Sequence, residues 1–306
     1  MIKRKSKFKV DLIVSADWHL MEKERNPPCR LDSHWDAQWD KVKQITKLME
    51  EYDCDCIMAG DLFEHWKTSP QLLNKCLHDL PGGETAYYQL RTVIGNHDMP
   101  QHNLDNMDKS GFQTLSEAKK ISVLKGNHWG FDKEESEIDT LFTMEPDQET
   151  KIAVAHMMVW QGKTPWPGCT DPEADEVFDI FPEADLIITG HNHKTFTAKR
   201  GKRLLINPGS LLRHKADQID HKPCVFLWNA ETNTCKPHYL KIKKNVISRE
   251  HIEIKKNKKA REEAFVEKLK DGWDITLSFR DNLEKSFQKN KISDKIKQLI
   301  YKWYGV

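Results

Sequence analysis

Gly95-Asn96-His97-Asp98 follows a short apolar run, Thr92-Val93-Ile94. A run of that length stopped by a glycine reads as a buried strand, and the tetrapeptide as the loop leaving its C-terminal end. Ligands bind at that end of the strands in an α/β sheet. The loop carries an amide, an imidazole and a carboxylate on three successive residues. In a core each of these groups would need its own buried partner. At a sheet edge they suit metal binding and proton transfer. Four more segments share the design, an apolar strand that stops at carboxylates or imidazoles.

The first strand, within residues 9–16, ends in Asp17-Trp18-His19. Residues two apart face the same side of an extended backbone, so Asp17 and His19 can grip one ion. Asp32 or Ser33 then caps a helix. Its Trp35, Trp39, Val42, Ile45 and Met49 recur at helical spacing and face a core. Cys56-Ile57-Met58-Ala59 is the second strand and ends in Gly60-Asp61-Leu62-Phe63, where the glycine lets backbone approach an ion. Residues 70–80 read as a helix. Beyond the opening tetrapeptide, a helix is expected near 108–119 and a strand at 121–124. A second Gly-Asn-His, at 126–128, is followed by Trp129 in place of Asp and reads as a turn, with contact to DNA or substrate as the alternative.

Ile152-Ala153-Val154-Ala155 ends in His156, and an ordered loop rich in Trp and Pro follows to Cys169. Leu186-Ile187-Ile188-Thr189 ends in Gly190-His191-Asn192-His193. Arg203-Leu204-Leu205-Ile206 leads into Asn207-Pro208-Gly209-Ser210, and Val225-Phe226-Leu227-Trp228 is a further strand. The strand ends together supply Asp17, His19, Asp61, Asn96, His97, His156, His191 and His193. Carboxylates, imidazoles and one amide suit manganese, iron or zinc. The donors are too many for one ion and fit two ions sharing a carboxylate. Such a pair clamps the attacking and leaving oxygens of a phosphoryl displacement.

The 306 residues make one large or two modest domains, with no apolar run long enough for a membrane and no secretory h-region behind the basic N-terminus. Seven scattered cysteines without a Cys-x-x-Cys pair agree with a cytoplasmic location, and Cys54 and Cys56 read as small buried residues. The net charge of +1 hides an asymmetry: residues 241–306 hold 18 Lys/Arg against 10 Asp/Glu, leaving the first 240 residues acidic. An acidic body with a basic tail fits a metal enzyme on an anionic polymer. Lys-rich helices that are merely soluble are the competing explanation. No Gly-x-x-x-x-Gly-Lys-Ser/Thr occurs, so any ATPase is another chain.

Asp-x-His, Gly-Asp, Gly-Asn-His-Asp, a lone His after a strand and Gly-His-x-His, in that order over residues 9–230, resemble the calcineurin-like metallophosphoesterases. The resemblance implies an α/β fold, a sandwich of two mixed β-sheets flanked by helices, with a small α+β cap after it. It implies that Asp17, His19, Asp61 and His193 hold one metal and that Asp61, Asn96, His156 and His191 hold the other. His97 would then stabilise the phosphate or protonate the leaving oxygen, and Asp98 would orient His97. The two divalent ions would be Mn2+ first, with Fe2+, Zn2+ or Mg2+ as alternatives.

Asp17-Trp-His-Leu, Arg30-Leu-Asp-Ser, Gly60-Asp-Leu-Phe and Asn207-Pro-Gly-Ser look like the SbcD-type repair and recombination nucleases. That resemblance implies a catalytic domain at 1–240 and a basic capping, DNA-binding region at 241–306. There Val246–Ser248 and Ile275–Phe279 read as strands, and Ile292, Ile296, Leu299 and Trp303 form an apolar helix stripe that faces a core, with a partner-binding face as the alternative. The resemblance implies a DNA exonuclease or endonuclease, with Arg213 and His214 beside the site holding phosphate. Its partners would be DNA, an SbcC-like ATPase chain and a second copy of the chain, with no membrane. Glu64 stands where some of these nucleases carry His, with His65 next, and the chain ends early for the type. A phosphatase or small-molecule phosphodiesterase on the same dimetal site is the alternative. A non-catalytic scaffold is the third reading, disfavoured by the complete ligand set.

Overall fold

The computed structural model describes residues 8–83, 86–124, 126–133, 139–145, 148–270 and 278–304. In chain order, β1 (Leu12–Ser15), α1 (His34–Tyr52), β2 (Cys56–Met58), α2 (Pro70–Asp79), β3 (Leu90–Thr92), α3 (Gly111–Glu117) and β4 (Ser122–Val123) form the first half of the larger unit. They are followed by β5 (Asp139–Glu145), β6 (Gln148–His156), α4 (Val177–Ile180), β7 (Leu186–Gly190), β8 (Phe196–Arg200), β9 (Arg203–Asn207), β10 (Cys224–Asn229) and β11 (Thr234–Tyr239). A second compact unit, Arg249–Val306, contains α5 (Glu250–Lys270), α6 (Phe279–Lys289) and α7 (Asp294–Tyr304).

The larger unit is a sandwich of two mixed sheets. One has the order β11-β10-β1-β2-β3-β4, with β1 to β4 parallel and β10 and β11 antiparallel. The other has the order β5-β6-β7-β9-β8, with β6, β7 and β9 parallel. The central strands of both sheets are buried on two faces, and the alternation of side chains along a strand decides which layer each residue fills. Leu12 and Val14 of β1 join Ile152, Val154, Leu186, Ile188, Leu204 and Ile206 between the sheets. Ile13 faces the other way, among Val42, Ile45 and Met49 of α1, Leu72 of α2 and Leu115 of α3. In the second sheet Ala153, Ala155, Ile187 and Leu205 turn outward onto Val177 and Phe178 of α4.

Local signals account for the helix starts. Ser33 caps α1 by accepting the Asp36 N–H at 3.1 Å, and Ser69 caps α2 ahead of Pro70. Four of the five expected core residues of α1 are buried, and Trp35 packs partly buried against the same core. Strand β3 ends at Thr92, so Val93 and Ile94 already belong to the loop. The helix expected near 108–119 is α3, preceded by a turn of 3-10 helix at Leu104–Lys109. The antiparallel strands β5, β8 and β11 lie at sheet edges, where the sequence is too polar to announce them.

The tail departs from expectation in three places. Ile247 forms a single bridge with Arg30, so Val246–Ser248 packs with the first unit. Of the strand expected at Ile275–Phe279, residues 275–277 lie outside the described residues, and Ser278 and Phe279 are the cap and first residue of α6. The α7 stripe is not core: Ile296, Leu299 and Trp303 are exposed, and α6 instead buries Leu283 and Phe287. Among the described residues no helix is long and apolar enough to cross a membrane.

Ile188 is fully buried between the sheets, two residues before Gly190. Ile188→Ala should cost about 2–5 kcal/mol in urea unfolding. Leu31→Ala, at a side chain 67 % exposed, should stay within about 0.5 kcal/mol.

Candidate metal centre

The C-terminal ends of β1, β2, β6 and β7 meet at one edge of the sandwich. As β1 and β2 end, their partnership continues through backbone bonds: Asp17 N–H to Gly60 O at 3.2 Å, His19 N–H to Asp61 O at 2.9 Å and Leu20 N–H to Leu62 O at 2.9 Å. The turn needed to aim side chains inward puts Asp17, His19, Asp61 and His191 at positive φ. Each left-handed non-glycine residue costs about 1 kcal/mol or more. Asp17 and His19 are therefore aimed by two left-handed residues, not by the extended alternation their spacing suggested.

Asp61 sits at the middle. Its Oδ1 accepts the His97 backbone N–H at 2.9 Å. Its Oδ2 lies 3.6 Å from His19 Nε2 on one side and 3.3 Å from His156 Nε2 on the other. On the first side His19 Nε2 is 3.1 Å from His193 Nε2. On the second, His156 Nε2 is 3.1 Å from Asn96 Oδ1 and 3.3 Å from His191 Nδ1, which is itself 2.9 Å from Asn96 Oδ1. Bonds of ~2.1 Å to one ion put neighbouring donors roughly 3.0–3.4 Å apart. Asp17 Oδ1 accepts the His191 N–H at 2.9 Å, while its buried Oδ2 has no hydrogen-bond partner. A buried oxygen without a donor is costly unless a cation faces it.

The imidazole tautomers follow from the outer nitrogens. His156 Nδ1 donates to Ala59 O at 2.7 Å, and His19 Nδ1 meets Glu64 Oε2 at 3.0 Å. Both arrangements leave Nε2 facing Asp61. Burial moves His191 down to about 4, helped by the charge on His156, and His193 down to about 2, helped by His19. Both are neutral rings with lone pairs to offer. Burial also lowers His156, but Asp61 and Asp17 outweigh it and raise the ring to about 9. Burial raises Asp61, and the imidazoles of His156, His19 and His97 outweigh it, holding the carboxyl far below the ordinary range. Two buried carboxylates thus draw positive charge to this point.

Three glycines let the segments close in. A Cβ on Gly60 would run into the His156 ring, one on Gly95 into the Asp61 carboxylate, and one on Gly190 into Ala59 O. Asn207 shapes the loop of His191 and His193: its amide donates to Asn192 O at 2.7 Å and to Lys194 O at 2.6 Å.

Two expected roles are corrected. The Asp98 carboxylate does not hold His97. It accepts the backbone N–H groups of Leu62, Phe63 and Gly95 at 2.9–3.2 Å, because the turn at 95–98 points it back at the β2 loop. Burial and the nearby charge of Asp61 push it up to about 7 against those donors. His97 is held instead through Nδ1, which donates to Glu64 O at 2.7 Å. Arg213 is not beside the site either. Its guanidinium donates to Ile219 O and Lys243 O, and only its neighbour His214 reaches the cluster, 5.2 Å from the His19 ring centre. Glu64 was visible only as a departure from the nuclease pattern. His34, buried with both ring nitrogens unpartnered, carries no sequence signal. In the second Gly-Asn-His, Asn127 O accepts the His156 N–H at 3.0 Å, so this turn braces a donor strand.

The family model described as the calcineurin-like phosphoesterase superfamily domain matches residues 30–227. The chain belongs to that superfamily. It is a metallophosphoesterase, a hydrolase domain whose chemistry uses divalent metal ions, and the fold is the two-sheet sandwich of the family. Among solved structures, an archaeal phosphodiesterase is similar at 12% identity over 75% of this chain and 99% of its own, with a TM-score of 0.41. A predicted phosphoesterase from Streptococcus pneumoniae shares 15% identity over 76% of this chain and 99% of its own, with a TM-score of 0.32. Vacuolar protein sorting 29 from Cryptosporidium parvum shares 14% over 78% and 100%, with a TM-score of 0.37. No curated protein matches the chain.

Gly60 combines a φ of 82° with the closest approach of backbone to the His156 ring. Gly60→Ala in this metallophosphoesterase should lower stability by about 1–3 kcal/mol, read by thermal unfolding in EDTA so that metal loss does not contribute.

Proposed function

We propose that the chain is a two-metal phosphodiesterase that cleaves DNA, a nuclease of the SbcD type. The observation that carries this reading is the placement of Asp61 Oδ2 between two donor sets at the floor of an open pocket of about 960 Å³. In this reading Asp17, His19, Asp61 and His193 hold one ion, and Asp61, Asn96, His156 and His191 hold the other, with Mn2+ the first candidate. When bound, the ions supply positive charge for the phosphate and acidify water. His97 lines the pocket with Nδ1 engaged on Glu64 O, so Nε2 is the nitrogen that donates to the leaving oxygen. Asp98 clamps the loops that carry Asp61 and His97.

The pocket rim supports a polymeric substrate. Lys194, Lys215 and Lys222 line it with Trp166 and Tyr239, residues 47 % and 60 % exposed. Lysines hold a phosphate backbone without reading sequence, and exposed aromatic rings stack on bases. Asp217 and Asp220 on the same rim oppose these charges, so three lysines prevail over two carboxylates. In this reading the basic region 241–306 is a capping region that contacts the phosphate backbone, and ATP hydrolysis is left to a separate SbcC-like chain.

The test uses end-labelled linear duplex DNA and bis-p-nitrophenyl phosphate with Mn2+. The wild-type chain should degrade the DNA only with metal. Asp61→Ala should lose bound metal, measured by ICP mass spectrometry, together with all turnover. His97→Ala should keep its metal and lose about 10²–10⁴-fold in kcat. Hydrolysis of the small diester with DNA untouched would overturn the nuclease reading in favour of a small-molecule phosphodiesterase. Loss of metal in His97→Ala would overturn the role of His97.

A further inference from the structure

The segment after Asn207-Pro208-Gly209-Ser210 is pinned against the centre from both ends. Leu211 N–H donates to Asp17 O at 3.1 Å. The N–H groups of His214 and Lys215 both donate to Gln218 Oε1, at 2.9 and 3.0 Å, and the Gln218 amide donates to Ser210 Oγ at 2.8 Å. Arg30 donates to Arg213 O at 2.9 Å, and the Cys29 thiol approaches His214 O at 3.3 Å. The His214 ring is therefore delivered to one place by its backbone.

That place is the first donor set. The His214 ring stands edge-on to His19 and His193, with centroids 5.2 and 5.5 Å apart. One nitrogen from each of the three rings lies within 4.8 Å of the others. His214 Nδ1 is buried with no hydrogen-bond partner. A buried nitrogen in that state is unfavourable unless a cation or donor faces it. The nearest carboxylate, Glu64, is already spent on His19 Nδ1. His214 is also absent from the lining of the open pocket, although Lys215 and His193 are part of it. A ring behind the pocket wall is poorly placed to touch a substrate phosphate and well placed to touch an ion held by His19 and His193.

We infer that His214 is a further metal donor, forming a three-imidazole face with His19 and His193 on one side of Asp61. The inference rests on the proposed placement of an ion there and adds a donor outside the five motifs. Its consequence is selectivity. A third imidazole raises the preference of this position for zinc, iron or cobalt relative to magnesium and manganese, which favour oxygen donors, and leaves Mn2+ the first candidate for the other position. Both positions have two oxygen donors, Asp17 and Asp61 at this one and Asn96 and Asp61 at the other, so the third imidazole is what separates them. The two positions thus differ in the metal they prefer.

The experiment is a Co2+ titration of EDTA-treated protein, following the visible absorption of the ion and the cobalt-to-chain ratio by ICP mass spectrometry. His214→Phe keeps ring volume and removes both nitrogens, and His214→Gln reads the same quantity if Phe is not accommodated. The wild type should take up two ions. Both His214 variants should bind one of them about tenfold to a hundredfold more weakly, with an altered cobalt spectrum and a reduced preference for Zn2+ over Mn2+ in competition. Asn96→Ala should weaken the other ion and leave that spectral component in place. Unchanged affinity and spectrum in the His214 variants, with the wild type loaded, would overturn the inference and leave the two-metal reading standing. A wild-type chain that takes up no Co2+ would overturn the two-metal reading itself.

Discussion

The shared carboxylate of Asp61 is the point on which the rest of the centre depends. It is almost fully buried, at 1 % exposure, and a buried charge without partners is strongly unfavourable. One oxygen is satisfied by the His97 backbone N–H. The other is approached by His19, from the first sheet, and by His156, from the second. The sandwich is closed at this edge because both sheets bring positive or metal-binding groups to the same anion. Gly60, Gly95 and Gly190 are needed there since any side chain would hold the segments apart.

Strain and bracing balance each other around that anion. Asp17, His19, Asp61 and His191 all adopt left-handed backbone conformations. Residues of this kind persist only where neighbouring structure leaves no alternative. Here the bracing comes from polar groups outside the donor sets. Asp98 gathers three N–H groups from the loops of β2 and β3, Asn207 gathers two carbonyls from the loop of His191 and His193, and Glu64 touches both His19 and His97. Asp98 and Asn207 fix the loop backbones, and the Glu64 contacts fix the ring orientation and tautomer of His19 and His97. The same rigidity explains why Asp98, conspicuous in the motif, acts on backbone and not on its neighbour His97.

Charge is distributed with the same logic. The first 240 residues carry more acid than base, and the buried acids Asp17, Asp61 and Asp98 are concentrated at the candidate centre. Lysines appear on the pocket rim and in the helical tail. Surface charge of this kind steers a substrate from a distance, while the buried carboxylates act only at contact range.

The sequence by itself determined the strand ends and most of the donor inventory. A short apolar run followed by Gly and a polar cluster is a local pattern, so Asp17, Asp61, His97, His156 and His191 could be placed at a sheet edge without knowing the sheet. Their order also carried the family. Tertiary structure decided everything that depends on which loops approach one another. His19 and His193 are 174 residues apart, and nothing local says that their Nε2 atoms converge. Glu64, His34 and His214 lie outside the five motifs and enter only because the β1, β2 and β9 loops fold onto one point. Arg213 and His214 are adjacent in sequence, yet the backbone turn sends one to the carbonyls of Ile219 and Lys243 and the other to the centre. Edge strands β5, β8 and β11 escaped notice for a related reason: a strand buried on two faces has an apolar signature, while an edge strand is defined by the partner it pairs with.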